Sequence, residues 1–189
     1  MKGHIYFIMW VSWAGKWTLI DNIKNQNLNL HIPLSYKSRP ARDNETHWVD
    51  SYFISKDSFI DAIEAGEFLE YAVVHNSDYY GTKFEDVIEN GIDQWKVVMK
   101  ELDMNGFEKL LLEKPEFTGN YTTIFLDIPS SILQDRLETR GDRITWEYLK
   151  NRIASSIVES KKAQELCHHI IDATQSPEDV LHEVLSIIK

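Results

Sequence analysis

Short apolar runs alternate along this chain with segments whose apolar residues recur every three or four positions. The runs predict buried strands, and the second pattern predicts helices that are apolar on one side. The strands are expected at 5–9, 51–55, 68–74, 96–99, 121–129 and 169–173. The helices are expected at 18–27, 55–64, 84–90, 106–113, 130–139, 147–166 and from 177 onward. Strands that alternate with helices indicate an α/β fold with a parallel central sheet covered on both faces.

Two of the predicted helices have a clear start signal. Ser55 stands directly before one helix and can cap it with its hydroxyl. Ser176 precedes Pro177 at the start of the last helix, and proline is favoured in a first helical turn. Gly66 follows the first of these helices and predicts its end.

The composition limits the class of protein. The 189 residues suit one domain with a small inserted lobe, and 43% of them are hydrophobic. The formal net charge of -10 argues against binding nucleic acid or anionic membranes, although local arginines can still hold a nucleotide phosphate. Cys167 is the single cysteine, which excludes an intramolecular disulfide and a cysteine-based zinc site. No apolar run has transmembrane length and no secretory signal is evident, so we expect a cytoplasmic protein.

A loop that ends in Gly15-Lys16 lies between the first predicted strand and the first predicted helix. This order is the setting of a phosphate-binding P-loop, whose pattern is G-x-x-x-x-G-K-[ST]. Lys16 can place its ammonium on β- and γ-phosphates, and the backbone N–H groups of 13–18 can cradle them at the helix start. The pattern is incomplete, because Trp10 stands at its first glycine and Trp17 at its hydroxyl position.

Arginines gather in the segment 136–152. Arg136 and Arg140 are four positions apart, so they share one face of a helix, and Arg143 and Arg152 follow. As surface residues they would pair with neighbouring carboxylates. As part of a lid they would neutralise a phosphoryl group during its transfer. The residues alone leave both interpretations open.

A second polar group is spread over 35–82. Two arginines with a tyrosine and hydroxyls are what a monophosphate dianion requires. A carboxylate among them could accept hydrogen bonds from the N–H edge of a purine. The residues are Ser35, Arg39, Arg42, Glu70 and Tyr79-Tyr80-Gly81-Thr82.

Taken in chain order, these segments resemble the guanylate kinase family over essentially the whole chain. Residues 35–42, S-Y-K-S-R-P-A-R, are similar to the family's S-x-T-T-R-x-x-R phosphate loop. Residues 66–72 followed by 79–82 are close to G-E-F-[LI]-E-[WY]-A and Y-Y-G-T. Residues 101–106 resemble [ED]-I-D-x-Q-G, and the arginines of 136–152 follow the R-L-x-x-R-G…R lid.

The resemblance implies a P-loop three-layer sandwich with a parallel central sheet, an inserted lobe and an arginine lid. The domain 1–189 would consist of a core at 1–34 and 96–189, a monophosphate-binding lobe at about 35–95 and a lid at about 138–150. The implied reaction is phosphoryl transfer from ATP to GMP, giving ADP and GDP, with Mg²⁺ as cofactor. The implied partners are ATP and GMP, and binding to nucleic acid or to a membrane is not expected.

The resemblance also assigns roles by motif position. The transferring charge would be stabilised by Lys16, Arg136, Arg140 and Arg152. ATP would be bound by Ser12, Trp13, Ala14, Gly15, Lys16, Trp17 and Thr18. The GMP phosphate would be held by Ser35, Arg39, Arg42 and Tyr80, and guanine by Glu70, Thr82 and Asp103. Mg²⁺ would lie near Thr18 and Glu101.

The phosphate-binding lobe departs from the family pattern at three positions. Ser51 stands where the family's V-D-Y-x-F has tyrosine, and Tyr52 is next to it. Neighbouring side chains on a strand point to opposite faces, so Tyr52 cannot simply replace the missing tyrosine. Lys37 and Ser38 replace two threonines. A monophosphate other than GMP is therefore an alternative acceptor.

Five of the six tryptophans stand where the family has glycine or another small residue. Glycine is needed where φ is positive or where the backbone approaches a phosphate closely. An indole there would fill the phosphate cradle or be strained by about 1–3 kcal/mol per site. The five are Trp10, Trp13, Trp17, Trp48 and Trp95, and Trp146 has no such assignment.

Two interpretations of these tryptophans are open. In one, the chain is a catalytically impaired guanylate-kinase-like binding or interaction domain whose P-loop the indoles fill. In the other, the codon UGA means glycine, as in some bacterial lineages, and was translated under a code in which it means tryptophan. Glycine at 10, 13 and 17 would give G-V-S-G-A-G-K-G-T, a complete loop with Thr18 as its hydroxyl. The intact downstream motifs favour the second interpretation.

Overall fold

A computed structural model describes residues 3–26, 29–74, 78–113, 120–139 and 145–188. The strands in these ranges are β1 (His4–Trp10), β2 (Leu30–His31), β3 (Tyr36–Lys37), β4 (Tyr52–Phe53), β5 (Phe68–Val74), β6 (Asp78–Lys83), β7 (Val97–Glu101), β8 (Tyr121–Asp127) and β9 (His169–Asp172). The helices are α1 (Lys16–Lys24), α2 (Lys56–Glu64), α3 (Met104–Glu113), α4 (Ser130–Thr139), α5 (Trp146–Leu166) and α6 (Pro177–Ile187).

The larger sheet has five strands in the order β2-β7-β1-β8-β9. β2 pairs with β7 in parallel, with Leu30 opposite Val97, and β8 pairs with β9 in parallel, with Ile124 opposite His169. The middle of β1 is buried throughout, as is typical of a strand covered on both faces. The predicted α/β fold with a parallel central sheet is confirmed.

A smaller sheet has four strands in the order β4-β3-β6-β5. β3 and β4 are parallel, whereas β6 runs antiparallel to both β3 and β5. α2 packs on this sheet because its apolar side chains fall on one side, and the ring centroids of Phe59 and Phe68 are 4.3 Å apart. The hydroxyl of Ser55 accepts a 3.0 Å hydrogen bond from the backbone N–H of Ser58, so the predicted cap is confirmed.

The chain divides into two compact units. The first consists of Met1–Ile5, Leu30–Lys100 and Asn105–Tyr121, and it contains the four-stranded sheet with α2. The second consists of Tyr6–Asn29, Glu101–Met104 and Thr122–Lys189, and it contains the Gly15-Lys16 loop. The predicted lobe and lid boundaries stay predictions, and residues 140–144 of the lid lie outside the described residues.

Helix bounds differ from the sequence prediction in several places, and α3, for example, begins at Met104 instead of 106. α1 begins at Lys16 instead of 18, because Gly15 takes the left-handed backbone that starts the helix directly after the loop. The helix predicted at 84–90 is a π-helical turn at Glu85–Glu89, and a 3-10 turn follows at Ile92–Gln94. Ser176 caps α6, as predicted. Across the described ranges, every helix is too short or too polar to span a lipid bilayer.

Candidate active site

The Gly15-Lys16 loop joins β1 to α1 in the second unit. Its turn is closed by a 3.2 Å hydrogen bond from the backbone N–H of Ala14 to the carbonyl of Val11. Gly15 has φ 89°, a conformation that glycine adopts without strain, and no side chain caps α1 there. The first N–H groups of a helix that lacks a side-chain cap can bind an anion. The local backbone therefore leaves the first N–H groups of α1 without a side-chain cap, as an anion-binding loop requires.

Lys16 lies between two indoles and a carboxylate. Its Nζ is 2.9 Å from Oε2 of Glu101, at the end of β7. The same Nζ is 3.9 Å from the ring centroid of Trp10 and 4.1 Å from that of Trp17. An aromatic face attracts a cation at these distances. The two indoles therefore lie against the ammonium to which the family pattern assigns the β- and γ-phosphates.

Two of the predicted arginines contact the loop. Nη1 of Arg136 donates to the carbonyl of Trp13 at 2.8 Å, and its Nη2 donates to the carbonyl of Ala173 at 3.0 Å. Arg152 donates from Nε to the Tyr148 hydroxyl at 3.1 Å, and its Nη1 makes a long 3.5 Å contact with Oγ of Ser12. The structure thus brings Lys16, Arg136 and Arg152 to one loop. Arg140 lies outside the described residues.

Carboxylates accompany these cations. Asp103 follows β7 and lies near Glu159 of α5, which the sequence did not single out. Burial raises the pKa of Glu159, the positive charge of Arg152 opposes this, and the negative charge of Asp103 adds to it. Arg152 is therefore balanced by acidic groups within the second unit.

A cavity of about 230 Å³ lies beside the loop, within the second unit. Its wall includes Thr18 of α1, which the sequence predicts as the hydroxyl residue of the P-loop, and Arg136 of α4. Such a concave site next to a glycine–lysine loop suits the remainder of a bound nucleotide. It is lined by Ala14, Gly15, Thr18, Leu19, Arg136, Ala173, Gln175, Pro177 and Val180.

Tryptophans occupy unusual backbone positions. In the described part of the chain, the non-glycine residues with positive φ are Trp13 at 69°, Trp48 at 72° and Trp95 at 60°. For a bulky residue this conformation is a genuine outlier, whereas glycine adopts it freely. The backbone at these three positions therefore suits glycine, as the sequence comparison with the family pattern predicts. Trp10 and Trp17 lie instead in β1 and α1 with ordinary φ.

The predicted phosphate loop, in the first unit, is organised around Glu45. Arg39 donates from Nη1 and Nη2 to the two Glu45 oxygens at 2.5 and 2.7 Å, and from Nε to the Tyr80 hydroxyl at 2.7 Å. Nζ of Lys37 lies 3.1 Å from Oε1 of Glu45, and the backbone N–H of Arg42 donates to Oε2 at 3.0 Å. The Arg39 hydrogen bonds hold the pKa of Glu45 well below its usual range. The Arg42 guanidinium is exposed.

The lowered pKa of Glu45 gives an expected pH dependence of stability. In the unfolded chain the Glu45 carboxyl titrates near pH 4.5. Above that pH the ionised carboxylate stabilises the folded state relative to the unfolded chain, and this stabilisation is lost as the pH falls below 4.5. Glu45→Gln is therefore expected to lower the free energy of unfolding at pH 7 by about 1 kcal/mol, as for a charged hydrogen bond that is partly open to water. The difference should shrink progressively towards pH 3. Urea unfolding at several pH values measures it.

The control for this experiment is Glu64→Gln, which removes an exposed carboxylate from α2 of the same unit. Its unfolding free energy should follow the unchanged protein at every pH. A Glu45→Gln difference that is the same at pH 7 and pH 3.5 would contradict the expectation, because it would have a cause other than the charge.

Ser35 and Ser51 are both engaged inside the first unit. Oγ of Ser35 accepts a 2.8 Å hydrogen bond from Nζ of Lys100, a lysine that is 2% exposed. Ser51 is 1% exposed, and its hydroxyl donates to the carbonyl of Asp50 at 2.5 Å. Tyr52 packs on Tyr36 with 4.6 Å between ring centroids. Tyr52 therefore does not replace the tyrosine hydroxyl that the family pattern has at position 51.

Glu70 and Thr82 face each other across the β5–β6 ladder. The hydroxyl of Thr82 donates to Oε1 of Glu70 at 2.6 Å, and Thr82 is fully buried. This contact fixes the direction of the carboxylate. Asp103, the third predicted guanine-binding residue, belongs to the second unit.

Three residues of these two sites carry no role in the sequence prediction. Glu45 accepts a hydrogen bond from Arg39, and Lys100 donates one to Ser35. Glu159 lies near Arg152, whose charge acts on its carboxyl group. Lys37 enters the sequence prediction only as a departure from the family pattern. A carboxylate six residues after an arginine in a loop has no periodicity that would reveal the pair.

Comparison with known proteins identifies the family. The model of the guanylate kinase family matches residues 3–189. A guanylate kinase of Malacoplasma penetrans is 37% identical, over 97% of this chain and 93% of that protein. One of Bacteroides thetaiotaomicron is 33% identical, over the whole of this chain and 90% of that protein. The crystal structure of guanylate kinase from Anaplasma phagocytophilum shares the fold, with a TM-score of 0.72 at 20% identity over 98% of this chain and 84% of that one. The chain therefore belongs to the guanylate kinase family of nucleoside monophosphate kinases.

Proposed function

We propose that the chain transfers the γ-phosphoryl group of ATP to GMP, giving ADP and GDP. The observation that carries this proposal is the convergence of Lys16, Arg136 and Arg152 on the loop that precedes α1. Phosphoryl transfer asks a protein mainly to position its substrates and to neutralise charge. The relatives from Malacoplasma penetrans and Bacteroides thetaiotaomicron are named guanylate kinases, which supports GMP as the acceptor.

On the ATP side, the ammonium of Lys16 would neutralise the β- and γ-phosphates, and the N–H groups of the loop would cradle them. Arg152, whose Nη1 lies 3.5 Å from Oγ of Ser12 in the loop, would neutralise charge on the transferring group. Arg136 would hold the loop in shape through the carbonyl of Trp13 and would border the cavity beside it. That cavity is the proposed place of the nucleoside part of ATP.

Mg²⁺ fits the donors of this loop. Magnesium in kinases is held by one or two carboxylates together with substrate phosphates, and it does not need an all-protein cage. Glu101, whose carboxylate contacts Lys16, and the hydroxyl of Thr18 would be its protein partners. Bound there, Mg²⁺ would neutralise charge on the phosphate oxygens of ATP. Among the described residues there is no group of three or more His, Cys, Asp or Glu that could hold a metal ion.

On the acceptor side, Arg39, Arg42, Tyr80 and Ser35 would hold the monophosphate. Glu70 would accept hydrogen bonds from the N–H groups on the guanine edge, in the direction that Thr82 fixes. Adenine has no N–H at the corresponding ring nitrogen, so a carboxylate in this position discriminates against AMP. The family pattern assigns a further guanine-binding role to Asp103.

ADP release with four acceptors tests the proposal. GMP is expected to give a kcat/KM at least about 100-fold above those of AMP and UMP, because a site built on a hydrogen-bonding carboxylate rejects a mismatched base strongly. dGMP should be accepted, since it carries the same base and phosphate. The assay uses the chain as written and its form with glycine at 10, 13 and 17. Preference for another base, or no turnover by either form, would overturn the proposal.

A further inference from the structure

Lys37 shares a carboxylate with Arg39. Nζ of Lys37 and Nη2 of Arg39 contact the same oxygen of Glu45, at 3.1 and 2.7 Å. The side chains of Lys37 and Arg39 are equally sheltered, each 12% exposed. Two cations that are held by one carboxylate form a positively charged cluster, and we call Lys37, Arg39, Arg42 and Glu45 the phosphate-loop cluster.

The sheet register explains why Lys37 lies there. Lys37 is the last residue of β3 and stands opposite Tyr80 of β6. Its Nζ is 5.5 Å from the ring centroid of Phe53 and 5.7 Å from that of Tyr80. Cζ of Arg39 is 5.4 and 5.7 Å from the same two centroids. Lys37 and Arg39 therefore lie at similar distances from the same two rings.

The charge of the phosphate-loop cluster suits a dianion. Its three cationic side chains and one carboxylate leave a formal net charge of two positive units. A phosphate monoester carries about −1.5 to −2 at pH 7. Without Lys37 the net charge would be a single positive unit, so Lys37 supplies the balance that a fully ionised monophosphate needs.

The number of available hydrogen-bond donors also favours Lys37 as a phosphate ligand. Arg39 already directs its Nε to Tyr80, its Nη1 to Pro40 and Glu45, and its Nη2 to Glu45. The hydroxyl of Ser51 is buried and donates to the carbonyl of Asp50. An ammonium has three N–H donors, and the contact with Glu45 uses one of them. Lys37 can therefore donate to a phosphate while it keeps its ion pair with Glu45.

We infer that Lys37 is a phosphate-binding residue of the acceptor site, which holds the 5′-phosphate of a nucleoside monophosphate together with Arg39. Glu45 positions both cations and keeps them directed at the same point. The inference rests on the proposed function, since it adds a residue to the acceptor site. Lys37 would also supply a charged donor to a lobe that lacks the family's tyrosine at position 51.

Binding of GMP and guanosine to the full chain tests this role. Lys37→Met removes the charge and keeps most of the stem, and it should raise the Kd of GMP about tenfold, as for one lost charged hydrogen bond. The Kd of guanosine, which has no phosphate, should stay within twofold. Lys37→Arg should bind GMP within about threefold of the unchanged protein. Calorimetry for GMP and NMR titration for guanosine supply the values without needing ATP turnover.

The matched control is Lys56→Met, which removes another lysine of the same unit, one that lies 5.6 Å from the centroid of Tyr79. It should leave both affinities unchanged. A Lys37→Met variant that binds GMP within twofold would overturn the inference. Equal losses for GMP and guanosine would also overturn it, because Lys37 would then shape the lobe without contacting the phosphate. An unchanged protein that binds no GMP would instead overturn the proposed function, and the inference with it.

Discussion

Replacing Trp10, Trp13 and Trp17 together by glycine is expected to raise the affinity of the chain as written for ATP by at least about tenfold. Trp13 has φ 69°, which costs a bulky residue about 1–3 kcal/mol. The indoles of Trp10 and Trp17 lie 3.9 and 4.1 Å from the Lys16 ammonium, where they compete with the phosphates. Glycine removes the strain and the competing rings at once. Titration with a fluorescently labelled ATP measures the change.

The matched control is Trp48→Gly. Trp48 has φ 72° and is 70% exposed, but it belongs to the first unit and has no part in the P-loop. Its replacement should relieve the same kind of backbone strain, which raises the melting temperature, and should leave the affinity for ATP unchanged. Equal ATP affinities before and after the triple replacement would refute the expectation.

The residues that the native protein carries at the tryptophan positions show whether UGA is decoded as glycine. If UGA means glycine in the source cell, the native protein should be lighter by the tryptophan–glycine mass difference at each affected position. The positive φ of Trp13, Trp48 and Trp95 supports this interpretation, since all three backbones suit glycine. Intact-mass measurement and peptide sequencing of the protein from its own cells decide between the interpretations. Tryptophan found at 10, 13 and 17 would leave the impaired binding domain as the explanation.

Elements that depend on local patterns could be predicted from the sequence. The apolar run of β1, the Ser55 cap of α2 and the serine–proline start of α6 all form where they were expected. In each case a short stretch of chain contains the physical cause of the structure.

Contacts made by loop residues could not be predicted in this way. Glu45 reaches Arg39 and Lys37 because the loop folds back on itself, and no repeat in the sequence records that turn. Lys100 reaches Ser35 across 65 positions of the chain, through the packing of the first unit. Burial makes such a lysine costly unless it is paired, yet its position at the end of an apolar run resembles that of any strand residue. The sequence pattern therefore indicates the site residues but not the partners that hold them.

Lys16→Met, made in the form with glycine at 10, 13 and 17, is expected to lower kcat for phosphoryl transfer to GMP by at least about 1,000-fold. Charge-stabilising groups of this kind are worth about 10³–10⁵ in phosphoryl transfer, and methionine has a stem of similar length without the charge. Removing the ammonium also leaves the Glu101 carboxylate, 2.9 Å away in the unchanged protein, facing the phosphates without its counter-ion. Single-turnover measurement at saturating ATP separates this loss from weaker binding.

Two further variants serve as controls for the Lys16→Met result. Lys24→Met removes an exposed lysine from the last turn of the same helix, and it should leave kcat unchanged. Lys16→Arg keeps the charge but replaces a compact ammonium by a planar fork, so it should restore only part of the rate. The Kd of GMP should be the same in all three variants, because the proposed phosphate-binding residues of the acceptor belong to the first unit and Lys16 to the second. A Lys16→Met enzyme within tenfold of its parent would show that the loop binds no transferring phosphate, and the proposed reaction would need another site.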